Sequence, residues 1–436
     1  MFARTTLTLF LAQLTLLGCS DKPEEENNPP GPGATTSDDT GTVDITDDTG
    51  DMTGVTDDTG TTGGSTTDTD TGGTTAPVDT DTGDPPAPVP DVAAFGFDDE
   101  RELVRVGSSL DGLDTPRDLV FHPERDELWV LNRYGATTGY GGGSHVIWFG
   151  PETDAPTAEF HSDYYANHFM AQPSSMAFGE ATYSESTEVN FATCQESRND
   201  YGGAYPPDDF MGPVLWSSDL SNYAAINQGP PSRLGGSHLD MLHQSPNCMG
   251  MTFENANAYW VFDGDDGNLV RYDFADDHGA GHDDHSDGIV RRYTDASVTR
   301  VPDVPGHMVF YDNRLVLAAD TGGGRIISLD IHTGSFSRNL SAYGERLVEY
   351  SEYTGATVEV VIDGLDTPSG LALDGDILYV GDFATGEIIA FDLDAGVELG
   401  RMETGAAGLT GLTVSPSGRI WYTDTAAEEL RYVFPG

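Results

Sequence analysis

From about residue 98 to its end, the chain alternates short apolar runs with Gly, Asp, Asn and Pro, and it shows no sustained 3.6-residue apolar period. Short apolar runs bounded by turn residues are typical of β-strands, so this part is predicted to be all-β. Two other patterns precede it: an apolar run near the N-terminus and a long polar stretch. The pattern therefore divides the chain into segments 1–19, 20–97 and 98–436.

The all-β segment repeats one unit, which opens with a Pro-x-x-apolar start, as in TPRDLVF and QPSSMAF. A second strand then ends in Asp or Asn, and a Gly-containing turn leads to a third strand. Six copies begin near Thr115, Gln172, Ser245, Val304, Thr367 and Gly408. The acidic residues that end the second strands are predicted to accept hydrogen bonds from turn amides rather than to catalyse; they are Asp263, Asp320, Asp382 and Asp424.

These units resemble NHL repeats, and six copies imply an NHL-like six-bladed β-propeller over residues 98–436. The last copy supplies only three strands, whereas the segment ELVRVGSSL from Glu102 has no blade of its own. We therefore expect this N-terminal strand to complete the last blade and close the ring, which removes the open sheet edges. Such a scaffold carries many activities, so it does not identify a function.

The first nineteen residues combine Arg4 with an apolar run, Leu7 to Leu17, that is too short to span a membrane. The run ends in Leu-Leu-Gly-Cys19, which resembles the lipobox of bacterial lipoproteins. That resemblance implies a signal peptide cut before Cys19, acylation of this cysteine, and membrane contact through the lipid anchor only. Ser20 favours an outer-membrane lipoprotein of the cell envelope, facing the periplasm or the surface. An ordinary secretory signal is the alternative.

Segment 20–97 consists largely of Asp, Thr, Gly, Ser and Pro, and it is predicted to be a disordered acidic tether because it has almost nothing to bury. Its DDTG units lack the bidentate Glu of a calcium-binding EF-hand. The whole chain has a formal net charge of −53. This charge argues against nucleic acid as a partner, since binding phosphate needs basic surface, but it attracts metal cations.

Two cysteines remain besides Cys19, namely Cys194 and Cys248. In an oxidising compartment they form a disulfide if their positions allow it. Otherwise Cys248 is a free thiol.

The residue before the first apolar position of each repeat is predicted to line the central channel. In the six copies these residues are Asp118, Ser175, Cys248, His307, Gly370 and Gly411. Pseudo-symmetry should gather the first four around one axis. There they either contact a metal ion or substrate, or they line the channel and bind water.

Five of the eleven histidines flank the third blade. His238 and His243 precede its inner strand, whereas His278, His282 and His285 follow its third strand. Imidazole ligands favour zinc, copper or iron over calcium, so these loops predict a transition-metal site; a solvated acidic turn is the alternative.

The scaffold also resembles the peptidyl-hydroxyglycine amidating lyases, six-bladed propellers whose channel metal is held by inner-strand histidines; here only His307 has such a place. Gluconolactonase-like and strictosidine-synthase-like propellers resemble it without a shared motif. The leading hypothesis is a lipid-anchored exported propeller that binds a metal ion through the third-blade histidines and the channel residues. The alternatives are a metal-independent module that binds a protein or glycan, and a metal-dependent lyase or hydrolase. Neither the small-molecule ligand nor the partner follows from the sequence.

Overall fold

The computed structural model describes residues 102–136, 139, 141–198, 210–230, 234–282, 284–342 and 345–433. The predictions for segments 1–19 and 20–97, including Cys19, lie outside these residues. Within them, the non-β elements are one short α-helix, α1 (Ala166–Phe169), and 3-10 turns at Ser109–Asp111 and His285–Asp287. None of the helices in the described ranges is long and apolar enough to cross a membrane.

The described strands form six sheets, and each sheet is one blade of a β-propeller. The first strand, β1 (Leu103–Gly107), precedes the first blade. From the channel outwards, blade 1 consists of β2 (Pro116–Phe121), β3 (Glu127–Asn132), β4 (Ser144–Phe149) and β5 (Thr157–His161). Blade 2 consists of β6 (Pro173–Thr182), β7 (Val189–Gln195), β8 (Val214–Ser217) and β9 (His238–Met241).

The third blade is larger than the repeats predict. Its own strands are β10 (Gly250–Asn255), β11 (Ala258–Asp263), β12 (Asn268–Asp273) and β13 (Ile289–Ser297). The next six strands are β14 (Met308–Tyr311), β15 (Leu315–Asp320), β16 (Arg325–Asp330), β17 (Ser335–Asn339), β18 (Glu349–Thr354) and β19 (Val358–Asp363). Blade 4 uses β14, β15, β16 and β19, whereas β17 and β18 extend blade 3 to six strands. Strand β18 runs parallel to β13, with Ile289 opposite Glu349.

The ring closes as the sequence predicts. Blade 5 consists of β20 (Pro368–Asp374), β21 (Ile377–Asp382), β22 (Glu387–Asp392) and β23 (Val397–Glu403). Blade 6 is built from β24 (Leu409–Val414), β25 (Ile420–Asp424) and β26 (Glu429–Val433). Strand β1 adds to its outer edge, where Val104 pairs with Tyr432. The predicted all-β six-bladed propeller closed by an N-terminal strand is therefore confirmed.

Apolar clusters between neighbouring blades form the core. The cluster between blades 3 and 4 includes Trp260, Phe262, Met308, Val316 and Ile327, all nearly or fully buried. Burying a large apolar side chain contributes about 1.5–3 kcal/mol, so these interfaces supply most of the stabilisation that a single blade lacks.

The acidic residues at the ends of the second strands are buried and hold the turns that follow. Oδ1 of Asp263 accepts the backbone N–H groups of Asp265 and Asp266 at 2.8 and 3.0 Å. Oδ1 of Asp382 accepts two turn amides at 3.0 and 3.2 Å in the same way. The structural role predicted for these residues is confirmed.

Candidate functional site

The channel position of blade 3 is held by Gly250, and the placement of Cys248 there is wrong. In blade 1, channel-lining Asp118 pairs with Leu131, the residue before the last of the second strand. The corresponding partner in blade 3 is Phe262, which pairs with Gly250. A Cβ atom added to Gly250 would lie 1.9 Å from a backbone oxygen of blade 4, so the narrow channel requires glycine here. The Pro-x-x-apolar alignment is therefore two residues out of register in the third copy.

Cys248 instead forms a disulfide with Cys194, and their Cα atoms are 5.5 Å apart. The bond joins the second strand of blade 2 to the segment that leads into blade 3. Because a metal-binding cysteine is a thiolate, a disulfide-bonded Cys248 is not a metal ligand. This corrects its predicted role.

Three channel residues from different blades contact one another. The Ser175 hydroxyl donates to Oδ2 of Asp118 at 2.8 Å. Nδ1 of His307 lies 3.3 Å from this hydroxyl and 3.4 Å from Oδ2 of Asp118. Nε2 of His307 is 3.0 Å from the carbonyl oxygen of Arg117, so this nitrogen carries a hydrogen and donates. Both ring nitrogens therefore contact protein atoms, and the trio links the inner strands of blades 1, 2 and 4.

A cavity of about 450 Å³ extends from this trio along all six inner strands. Most of its lining residues are apolar, among them Val120, Met176, Val309, Leu371 and Leu412, although polar and apolar atoms line it about equally. This volume lies within the range of small-molecule sites. Among the described residues, no group of metal-ligating atoms joins Asp118 or His307 to the third-blade histidines. The predicted single site of channel residues and histidines is therefore replaced by separate groups.

The best-formed group of metal-ligating atoms comprises His243, His285 and Glu345. Nδ1 of His285 lies 2.5 Å from Oε2 of Glu345, and Nδ1 of His243 lies 3.3 Å from the same oxygen. The imidazole ring centroids are 4.7 Å apart. The Glu345 side chain is only 2% exposed. Two imidazole nitrogens therefore converge on one buried carboxylate oxygen.

Each member of this group comes from a different connection in the fold. His243 follows β9, and Tyr272 fixes it by donating its hydroxyl hydrogen to the His243 carbonyl oxygen at 2.8 Å. His285 lies in the 3-10 turn between β12 and β13, whereas Glu345 lies between β17 and β18. Gln244 donates to Oε1 of Glu345 at 2.9 Å, which orients the carboxylate. The group thus depends on the extra strands of blade 3.

A second group consists of Asp240, His278 and Asp287. Nε2 of His278 lies 3.1 Å from Oδ1 of Asp287 and 3.9 Å from Oδ2 of Asp240. Asp240 is fully buried in β9. Two carboxylates and one imidazole form a harder set of ligands than the first group.

His238 and His282 belong to neither group. His238 lies within β9 of blade 2 rather than in a loop of blade 3, and its ring stacks on Phe169 with centroids 3.6 Å apart. Its Nδ1 is 2.7 Å from the carbonyl oxygen of Gly235, which it meets as a donor. His282 is exposed. Of the five predicted histidine ligands, His243 and His285 thus share one group, His278 alone belongs to the other, and the remaining two belong to neither.

None of the three acidic members of these groups, Glu345, Asp240 and Asp287, is among the metal ligands predicted from the sequence. Asp240 lies between His238 and His243, so a search for carboxylates beside the histidines would have found it. Glu345 is distant in sequence from every other member. Only the long excursion between the third and fourth strands of blade 4 gave a signal, because long insertions in compact domains are often functional.

No protein-family model and no curated protein sequence matches this chain. In fold it is similar to an auxiliary nutrient binding protein from Bacteroides thetaiotaomicron, at 9% identity and a TM-score of 0.45, over 74% of this chain and 69% of that one. It is also similar to the calcium-binding protein regucalcin from Agrobacterium tumefaciens, at 13% identity and a TM-score of 0.41, over 76% and 93% of the two chains. The β-propeller domain of Myceliophteria thermophila Cps50 (Swd1) matches at 9% identity and a TM-score of 0.41, over 77% and 99%. Similarity at this level says nothing about what the chain binds, and the propeller assignment rests on the strand order above.

Proposed function

We propose that this protein is an exported, lipid-anchored β-propeller that holds a transition-metal ion, zinc or a chemically similar ion, between His243, His285 and Glu345. The observation that supports the proposal is the convergence of two imidazole Nδ1 atoms on one carboxylate oxygen, with all three ligand atoms within 4.8 Å of one another. Two histidines and one carboxylate are a common zinc ligand set, which leaves one coordination position for water or a further ligand.

Burial of Glu345 makes a cation favourable at this place. A carboxylate withdrawn from water costs several kcal/mol unless charge or hydrogen bonds compensate it. In a protein with a formal charge of −53, the surroundings add repulsion. A bound dication would replace a proton between His285 and Glu345 and would also bind Nδ1 of His243. Zinc–ligand bonds are about 2.0–2.2 Å long, so Nδ1 of His285 and Oε2 of Glu345 would have to move apart to bind one ion. The movement required is less than about 1 Å.

In this proposal the ion stabilises the fold. It would fix the connection between β17 and β18 against the segment between blades 2 and 3, so that the two extra strands stay attached to blade 3. The disulfide between Cys194 and Cys248 is in keeping with export, since such bonds persist in oxidising compartments. We propose the cell envelope as the location and Cys19 as the lipidated residue.

Metal analysis of the full-length protein, purified without a His-tag and washed with excess magnesium, tests the proposal. Magnesium removes ions held loosely by the acidic N-terminal segment. We expect about one equivalent of zinc, copper or iron, and loss of that equivalent in the double variant His243→Ala with His285→Ala. His282→Ala is the matched control, because this exposed histidine of the same loop should retain the ion. Wild-type protein with no tightly held transition metal, even after incubation with zinc, would overturn the proposal.

A further inference from the structure

Three arginines converge on one glutamate at the end of the channel where the inner strands begin. Nη2 of Arg117 and Nη1 of Arg133 lie 3.0 and 3.1 Å from Oε2 of Glu196, and Nη1 of Arg300 lies 3.3 Å from Oε1. The side chains of Arg117 and Glu196 are 1% and 4% exposed. The chain contains only 20 lysines and arginines against 73 acidic residues, so this arginine cluster is a local exception to its charge.

A fourth contact comes from Asp303, which lies on the turn between Val301 and Val304. Its carboxylate is 2.6 Å from Nη1 of Arg133, although the Asp303 side chain is 73% exposed. Its backbone N–H donates to Glu196 at 2.8 Å, and its carbonyl oxygen accepts from Arg117. Asp303 has a φ of 68°, a left-handed conformation that is uncommon for residues other than glycine and costs some strain.

The cluster carries more positive than negative charge. Three guanidinium groups face two carboxylates, and neither Arg117 nor Arg133 binds a carboxylate through two nitrogens. The buried Nε atoms of Arg117 and Arg133 have no hydrogen-bond partner among the described residues. Burial, followed by the nearby Arg133 charge, lowers the pKa of Arg117 to about 10, although Glu196 and Asp303 act in the opposite direction. Another anion would therefore be favourable here, and guanidinium forks bind planar carboxylates well.

We propose that the arginine cluster binds the carboxylate group of a small molecule, and that the Asp303 carboxylate occupies this place in the free protein. The Asp303 side chain is 73% exposed, so water can solvate its carboxylate when a ligand carboxylate takes its place. Arg117 and Arg133, which are buried and fixed by Glu196, stay in place to receive it. The acidic protein surface disfavours polyanions, but salt screens its field within about 8 Å, so a single carboxylate reaches the arginines.

Calorimetric titration of the full-length protein with acetate and with succinate, at constant ionic strength set by chloride, tests this inference. Asp303→Asn removes the competing carboxylate and keeps a side chain that tolerates the left-handed backbone. We expect this variant to bind at least about tenfold more tightly than wild type, a change of about 1.4 kcal/mol. Adding Arg133→Gln, or Arg300→Gln if that protein folds poorly, should abolish binding.

Asp265→Asn is the matched control, because Asp265 also pairs with an arginine, Arg198, but lies outside the cluster. It should leave the affinity for both carboxylates unchanged. Absence of measurable carboxylate binding to Asp303→Asn, or equal tightening in Asp265→Asn, would overturn the inference and leave the cluster a purely structural ion-pair network. Neither outcome depends on the metal site, since none of these variants changes its ligands.

Discussion

His285 and Glu345 are 60 residues apart in the chain, yet Nδ1 of the histidine lies 2.5 Å from Oε2 of the glutamate. Strand β18 runs parallel to β13, with Glu349 opposite Ile289. His285 and Glu345 each lie four residues before these paired positions, so they arrive at the same end of the extended sheet. The contact is thus a direct consequence of adding strands from the fourth blade's sequence to the third blade.

Glu345→Gln should weaken metal binding without unfolding the site. Glutamine keeps the size of the side chain and its amide oxygen can still accept from Gln244, but it lacks the charge that a zinc ligand supplies. We expect the affinity for zinc to fall by more than about tenfold, since altering groups around a metal commonly costs 10- to 100-fold. Competition with a fluorescent chelator measures this. Glu352→Gln is the control: Glu352 pairs with Arg338 at 2.7 Å on the same hairpin and should leave zinc affinity unchanged.

The fold could be predicted from the sequence because its signals are local and repeated. Each repeat carries its own turn residues and apolar alternation, and the missing strand of the last blade matched an unassigned segment at Glu102. The extra strands of blade 3 carried no such signal. In sequence, β17 and β18 look like any other hairpin, and nothing indicates that β18 pairs in parallel with a strand of blade 3.

The candidate site could be predicted only in part. His243, His278 and His285 stood out because histidines are few and clustered, whereas Glu345 is one of 73 acidic residues and nothing local distinguishes it. Cys248 was misplaced because Pro246 suggested a strand start two residues too early. These errors concern long-range placement and register, which a single sequence does not encode locally.

The Cys194–Cys248 disulfide should contribute substantially to stability. Its residues are separated by 54 positions, and the chain-entropy model gives about 4 kcal/mol at 25 °C for a loop of this length. We expect a Cys194→Ser, Cys248→Ser variant to unfold at lower urea concentration than wild type. Adding a reductant should lower the midpoint of wild type and leave that of the variant unchanged. Equal midpoints for the two proteins under oxidising conditions would contradict this prediction.

Gly250→Ala should destabilise the propeller, whereas alanine at many surface positions would not. Its Cβ would lie 1.9 Å from the carbonyl oxygen of Gly306, and backbone cannot move away cheaply. Overpacking of this kind costs about 1–3 kcal/mol, measured as a shift in the urea midpoint. Gly408→Ala is the milder comparison, because its Cβ would meet nothing nearer than 3.1 Å. A similar loss in both variants would argue against Gly250 as the channel residue.

His145 should make the protein less stable as the pH falls below about 6.5. This side chain is fully buried in blade 1, where Nδ1 lies 2.6 Å from the hydroxyl of Tyr223. Burial, with a smaller effect of His161, lowers the pKa of His145 from 6.5 to about 3. The folded state therefore keeps His145 neutral, whereas the unfolded state takes up a proton at this residue. The free energy of unfolding consequently decreases as the pH falls from 6.5 to 3. From pH 7 to pH 5 the expected loss from this residue is about 2 kcal/mol, since each pH unit is worth about 1.4 kcal/mol.

Urea unfolding at pH 7, 6 and 5 measures this effect in wild type and in His145→Gln. The variant lacks the titrating ring, so its stability should fall less steeply with decreasing pH, even if it is less stable at pH 7. His122, whose pKa burial and Arg125 lower to about 4, still titrates in the variant and should leave a remaining slope of the same sign. His332→Gln, at an exposed position, should follow the wild-type slope. Parallel pH profiles for wild type and His145→Gln would mean that His145 is protonated equally in both states, which its burial argues against.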